Sequence, residues 1–148
     1  MTIYAVAAFG EEAAPELLRL AEKGDSWWYS QVTDLLKTLI VMIEEPHGPP
    51  LSRATLERTR RLAREQLTNG PDYPEMVIVS SLDRVSILQE ATSLALALAL
   101  DDPPLRELVA SLARDPEAVR RLGVQDSSAV EGVQRHAAEA LARPPGRR

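Results

Sequence analysis

Residues 82–100 read LDRVSILQEATSLALALAL, and this stretch determines the fold class that the sequence predicts. Its apolar residues recur at helical spacing on two adjoining faces. The alternation of leucine and alanine from 94 to 100 also fits the two-residue period of a strand, but both residues favour helices. The preceding residues 76–79, Met-Val-Ile-Val, could form a short strand by themselves. Few positions of 82–100 are polar, so we expect a buried central helix.

On the amino-terminal side of this segment, residues that typically start or end helices lie on either side of apolar stripes. A first helix runs from about Pro15 to Gly24, a residue type that often follows a helix end. The second helix carries an apolar stripe from Trp28 to Ile43, and the following Pro46 stops it. A third helix follows Ser52, a good capping residue, and ends at the sequence Asn-Gly-Pro of residues 69–71.

The same signals continue on the carboxyl-terminal side. Asp102 and Asp115 each precede a proline, the arrangement expected of a cap followed by the first helical turn. Ser128-Ala-Val-Glu131 has the spacing of a capping box and predicts the start of the last helix. Gly132 inside that helix predicts the close approach of another helix, with a plain surface position as the alternative.

Together these segments predict an all-α protein without paired strands. We expect a compact bundle of six to seven helices whose neighbours are antiparallel, with the buried central helix near 82–100. A length of 148 residues suits one domain, which we place at 1–143 and follow with a flexible tail at 144–148.

Composition excludes several classes of function. Cysteine is absent, which removes disulfides and thiolate chemistry. The net charge of -5 disfavours a protein that mainly coats nucleic acid. No basic residue precedes the apolar residues of 1–10, so we expect no signal peptide, and no run is long enough for a membrane span. These features predict a cytoplasmic protein that does not associate with membranes.

An aromatic cluster at residues 27–29 suggests a contact surface. Trp27 points away from the apolar stripe of its helix, toward the side that carries Asp34 and Val41. Tryptophan is enriched at the energetic centres of interfaces, so this face is a candidate partner-binding surface. Alternatively, Trp27 packs against the first helix or the amino-terminal segment.

The third helix, over residues 53–68, is rich in arginine. Residues 47–70 contain five arginines and two glutamates, whereas the flanking segments are acidic. Arg53, Arg60 and Arg64 project within about 40° of one another on an ideal helix, as a row that could meet phosphates or an acidic partner. Two other interpretations are a solvated face with pairs to glutamates along the helix, and contact with the chain's own acidic segments.

No residue pattern forms a recognisable catalytic or metal site. Glu44, Glu45 and His47 are close in sequence, but Pro46 breaks the helix between the carboxylates and the imidazole. His136 precedes Glu139 by three residues, which predicts a surface contact between them. We therefore expect no catalytic residues, no metal and no cofactor.

These observations favour a non-enzymatic helical module that binds another protein or itself, as an adaptor or regulator. Its partner-binding residues would be Trp27, Asp34, Val41, Arg53, Arg60 and Arg64. One alternative is a regulator associated with nucleic acid through the arginine-rich helix 53–68, which the acidic net charge disfavours. Another is a small-molecule pocket between helices, lined by Trp28 and the aliphatic stripe.

Overall fold

The computed structural model of the chain describes residues 3–23, 29–71 and 81–143. These residues form eight α-helices and two single 3₁₀ turns, Gly10–Glu12 and Ala99–Asp101, with no strand among them. The helices are α1 (Ile3–Ala7), α2 (Ala14–Lys23), α3 (Tyr29–Glu44), α4 (Arg53–Asn69), α5 (Ser81–Leu98), α6 (Pro103–Arg114), α7 (Pro116–Arg120) and α8 (Ser127–Ala142). The predicted all-α bundle is confirmed, and α1 is the helix beyond the six or seven expected.

Helix α5 is the centre of the bundle, as predicted. It packs against α3, α4, α6 and α8, so apolar side chains are needed on more than one of its faces. Ile87, Leu88, Leu94 and Leu96 are all fully buried. Burying each such side chain stabilises the fold by about 1.5–3 kcal/mol relative to leaving it exposed.

Most of the helix ends occur where the sequence predicts them, because local hydrogen bonds fix them. The hydroxyl of Ser52 accepts the N–H of Thr55 at 3.1 Å and caps α4. Gly70 ends α4 with φ of +86°, a conformation that favours glycine. The carboxylate of Asp102 accepts the N–H of Leu105 at 3.3 Å at the start of α6.

Two predictions about α8 are wrong. The cap is Asp126, whose carboxylate accepts the N–H of Ala129 at 2.9 Å, so α8 starts before the proposed capping box and Ser128 lies inside it. Aspartate caps helices as well as serine does, and the earlier residue satisfies the first-turn N–H. Among the described residues, a Cβ atom at Gly132 would meet nothing within 4 Å, so none of the described helices approaches this position closely.

A turn near the amino terminus is tied to the loop between α3 and α4. The N–H of Glu11 donates to the carbonyl of Pro49 at 3.1 Å. The Glu11 carboxylate accepts the N–H of Ser52 at 3.0 Å and the hydroxyl of Thr55 at 2.8 Å. The bond from the Ser52 N–H is the main reason that the pKa of Glu11 lies below its usual value. These bonds tie the turn that follows α1 to the loop that follows α3, and α1 packs against α3.

Several predictions lie outside the described residues. They concern the helix end at Gly24, the inward stripe position of Trp28, the possible strand at 76–79 and the tail at 144–148.

Candidate functional site

Helices α1, α3, α5 and α8 surround an open cleft with a volume of about 250 Å³. Its walls are mainly apolar, and they are formed by Ile3, Tyr4, Ile40, Val41, Leu96 and Ala140. Tyr4 on α1 is 64% exposed, which is unusual for a large aromatic side chain. Concave apolar surfaces with a few polar groups are the usual form of binding sites.

The cleft is formed by one side of α3 and one side of α5. On α3, the lining residues Lys37, Ile40, Val41 and Glu44 have the spacing of neighbours on a helical face. On α5, the lining residues lie at 90, 93 and 96, a spacing of about one helical turn. Each helix therefore presents both polar and apolar side chains to the same cleft.

Glu90 is the partly buried charge of this cleft. Its side chain is 23% exposed, and its nearest cation is the Lys37 ammonium, whose Nζ lies 3.9 Å from Oε1. Burial raises the pKa of the Glu90 carboxyl, the positive charge of Lys37 lowers it, and the negative charge of Asp34 raises it further. The lysine therefore compensates the carboxylate only in part.

Ser93 connects the cleft to His136 on α8. Nε2 of His136 lies 3.2 Å from the carbonyl oxygen of Gln89 and 3.4 Å from Oγ of Ser93. A carbonyl oxygen can only accept a hydrogen bond, so Nε2 of His136 carries the proton and donates a hydrogen bond to the Gln89 carbonyl. The same nitrogen then has no lone pair with which to take the Ser93 proton, and the pair is not arranged as a nucleophile with its base.

The hydrogen-bond partner of His136 is therefore on α5, whereas Glu139, the predicted partner, acts on it through its charge. Burial is the main reason that the pKa of His136 lies below its usual value, and it outweighs the hydrogen bond to the Gln89 carbonyl. The sequence could not reveal this contact, because Gln89 and His136 are 47 positions apart.

The structure describes five of the six predicted partner-binding residues and separates them into two groups. Val41 lines the cleft, and Asp34 lies on α3 where its charge acts on Glu90. Arg53, Arg60 and Arg64 lie on α4, outside the residues that line this cleft. Trp27 is outside the described residues.

Two arginines of α4, Arg60 and Arg64, face the start of α6. Arg60, whose side chain is 18% exposed, lies 3.8 Å from Asp102 Oδ2 through Nε and 3.5 Å from Asp101 through Nη2. Nη2 of Arg64 lies 3.5 Å from the same Asp102 oxygen. Contact with the chain's own acidic segment, one of the interpretations of this helix, is therefore confirmed for Arg60 and Arg64. Arg53 is exposed.

A larger depression, of about 580 Å³, lies between α2 and α4. Arg58 reaches across it to Glu22, with Nε 2.7 Å from Oε1 and Nη2 3.1 Å from Oε2. The pair satisfies both charges within the chain, so this depression is a weaker candidate for a partner than the apolar cleft.

Sequence reasoning missed Tyr4, Lys37 and Ser93 as members of a site. The sequence indicated a role for these residues only in part. Lys37 falls between Asp34 and Val41 in the face that was predicted to contact a partner, and Ser93 belongs to the polar positions of 82–100. Nothing in the sequence indicated that these faces meet beside Tyr4, since α1 itself was not predicted.

Among the described residues, no group of three or more histidine, cysteine or acidic side chains could hold a metal ion. In the same part of the chain, no helix is both long and apolar enough to cross a membrane. Comparison of the chain with protein-family models, curated proteins and solved structures finds no match. The geometry of the cleft is therefore the main indication of function.

Proposed function

We propose that this protein is a non-enzymatic helical module that binds another protein through the cleft between α1, α3, α5 and α8. In this proposal it acts as an adaptor or regulator in the cytoplasm. The observation that supports it most is the exposed Tyr4 ring at the edge of an apolar cleft. Aromatic side chains are enriched in the contact surfaces of proteins, where they bury a large area at a low entropic cost.

The shape of the cleft also favours a protein partner. It is open to solvent along one side, and its apolar wall continues from the partly buried Ile40 and Val41 to the exposed Tyr4. At about 250 Å³ it is smaller than the usual pocket of a drug-sized ligand. One or two side chains of a partner would fill it.

The alternative, a regulator bound to nucleic acid through 53–68, receives less support. Arg60 and Arg64 are already paired with Asp102, and Arg60 is also paired with Glu57 at 2.6 Å. A phosphate would have to displace these carboxylates, which lie on the same surface and would repel it.

Site-specific photocrosslinking tests the proposed surface. Replacement of Tyr4 by p-benzoylphenylalanine places a reactive aromatic group at the cleft without removing an aromatic ring. Phe9 gives a matched control, because it is also an exposed aromatic, at 57%, but does not line the cleft. In cells of the source organism, we expect a crosslinked product of one defined mass from position 4 and none from position 9.

The substitution Val41→Ser should reduce the yield of that product, because it removes apolar area from the wall of the cleft. A product at twice the mass of the chain would identify a second copy as the partner. Equal labelling from positions 4 and 9, or no product from position 4, would refute the proposed surface.

A further inference from the structure

The charges around the cleft are not balanced. Among the described residues, three carboxylates and two cations lie in the cleft or beside it, and they are Asp34, Glu44, Glu90, Lys37 and Arg143. Glu44 and Arg143 are at the end of the cleft formed by the ends of α3 and α8. At the other end, Lys37 Nζ lies 3.9 Å from Glu90, and the negative charge of Asp34 also acts on Glu90, so the two described carboxylates there outnumber the one described cation.

Glu90 is the carboxylate that a ligand in the cleft would meet. It lies on α5 beside Ser93 and Leu96, which also line the cleft. The distance of 3.9 Å to Lys37 Nζ is longer than a hydrogen bond, and the lysine side chain is 47% exposed. A partner could therefore bring a second cation to Glu90 without displacing a hydrogen bond to Lys37.

We propose that the cleft binds a protein segment that presents a lysine or arginine beside an apolar side chain. The cation would contact Glu90, and the apolar group would pack against the partly buried Ile40 and Val41. This inference deepens the proposed function and rests on it, because it names the chemistry of the segment that enters the same cleft.

The physical reason is the desolvation of a carboxylate. A partner that covers the cleft removes water from Glu90, which is costly unless a new charge or hydrogen-bond donor replaces that water. A cation replaces it with a charge-assisted bond, a hydroxyl replaces it with a weaker bond, and a carboxylate adds repulsion. Burial raises the pKa of Glu90, and the charge of Lys37 offsets this rise only in part.

A series of three small probes with the same apolar body tests the charge preference. The probes are 4-phenylbutylamine, 4-phenylbutanol and 5-phenylpentanoate, which join the same phenylbutyl group to a cation, a neutral hydroxyl and an anion respectively. Each is titrated into the full chain, and the amide resonances of α3 and α5 are followed by NMR. We expect the amine to bind about tenfold more tightly than the alcohol, as charge-assisted bonds are roughly twice as strong as neutral ones. The pentanoate should bind most weakly.

Glu90→Gln keeps the shape of the side chain and removes its charge. We expect it to reduce the affinity for the amine to that for the alcohol and to leave the alcohol unchanged. Glu131→Gln is the matched control, because Glu131 is exposed on α8 and does not line the cleft, and this variant should keep the preference for the amine.

The outcomes separate this inference from the proposed function. Equal affinity for the three probes, a preference that survives Glu90→Gln, or no binding of the amine would overturn the inference about the cation. The proposed function is decided independently by the crosslinked product from position 4. If that product forms while the amine is not preferred, only the chemistry assigned to the segment is wrong.

Discussion

The contact between the turn after α1 and the loop after α3 gives a sharp test, in which the same substitution has opposite effects at two glycines. A Cβ atom at Gly48 would lie 2.1 Å from the carbonyl oxygen of Ala8, whereas a Cβ at Gly132 would meet nothing within 4 Å in the part of the chain that the structure describes. The atoms that obstruct a Cβ at Gly48 belong to the backbone, so they cannot rotate away as the end of a flexible side chain could. We expect Gly48→Ala to destabilise the protein and Gly132→Ala to stabilise it.

The magnitude at Gly48 follows from the hydrogen bonds that this contact supports. The loop must move by about 1 Å before the distance reaches 3.0 Å, the lower limit of real Cβ contacts. Such a shift disrupts the bond from the Glu11 N–H to Pro49 and the two bonds that the Glu11 carboxylate accepts from Ser52 and Thr55. At about 1 kcal/mol each, their loss lowers the free energy of unfolding by about 3 kcal/mol.

The change at Gly132 has a different origin. Alanine favours a helix over glycine by about 1 kcal/mol because it restricts the unfolded chain, and here its methyl group meets no obstacle. For a chain of this length, 1 kcal/mol corresponds to a shift of about 3 °C in Tm. The expected shifts are therefore about 10 °C downward for Gly48→Ala and about 3 °C upward for Gly132→Ala.

Urea unfolding followed by circular dichroism measures both variants against the parent chain. The two changes should move the midpoint in opposite directions while the slope stays constant, since neither alters the surface exposed on unfolding. If the free energy of unfolding of Gly48→Ala lies within about 0.5 kcal/mol of the parent, the tight contact between Gly48 and Ala8 does not hold these three hydrogen bonds in place.

Three further results are expected. In urea unfolding, Asp102→Ala should lower the free energy of unfolding by about 2 kcal/mol, because it removes both the cap of α6 and the partner of Arg60 and Arg64. Asp102→Asn should lower it by about half as much, because asparagine still caps the helix. Equal losses in the two variants would contradict a role for the charge. Burial lowers the pKa of His136, so its folded form binds fewer protons than the unfolded chain, and stability should fall as the pH decreases through its usual value of 6.5 until the lower folded pKa is reached. Midpoints from pH 8 to 5 should show a smaller fall in His136→Gln than in the parent, and parallel profiles would contradict this. Burial raises the pKa of Glu90, so the folded chain holds this proton to a higher pH than the unfolded chain does, and the parent loses stability as the pH rises above 4.5. Glu90→Gln lacks this titration and should become more stable relative to the parent over that range. A constant difference in stability between the two from pH 4 to 7 would contradict the effect of burial on Glu90.

Local chemistry explains why much of the fold could be predicted. Ser52 and Asp102 cap the helices that follow them, and Gly70 ends α4, because each acts on backbone groups only a few residues away. The same local reasoning failed at α8, where Asp126 and Ser128 are both good caps and their order along the chain decided which one is used. A sequence pattern does not show which of two such capping residues starts the helix.

The candidate site was predictable only in part. The face of α3 with Asp34 and Val41 was identified from its seven-residue spacing, and Val41 does line the cleft. The partly buried Glu90 and the exposed Tyr4 were not assigned to that surface, since they lie on other helices. Their meeting depends on how α1 and α5 pack against α3, which helical periodicity does not specify.

By itself, the sequence determined the all-α class, the position of the central helix and the residues that end most helices. These properties follow from interactions within one or two helical turns, and each is encoded by neighbouring residues. The tertiary structure alone decided that Arg60 pairs with Asp102, that His136 donates to Gln89, and that Lys37 and Glu90 share one cleft. The physical reason is that these contacts join residues more than 40 positions apart, where the packing of whole helices sets the distance.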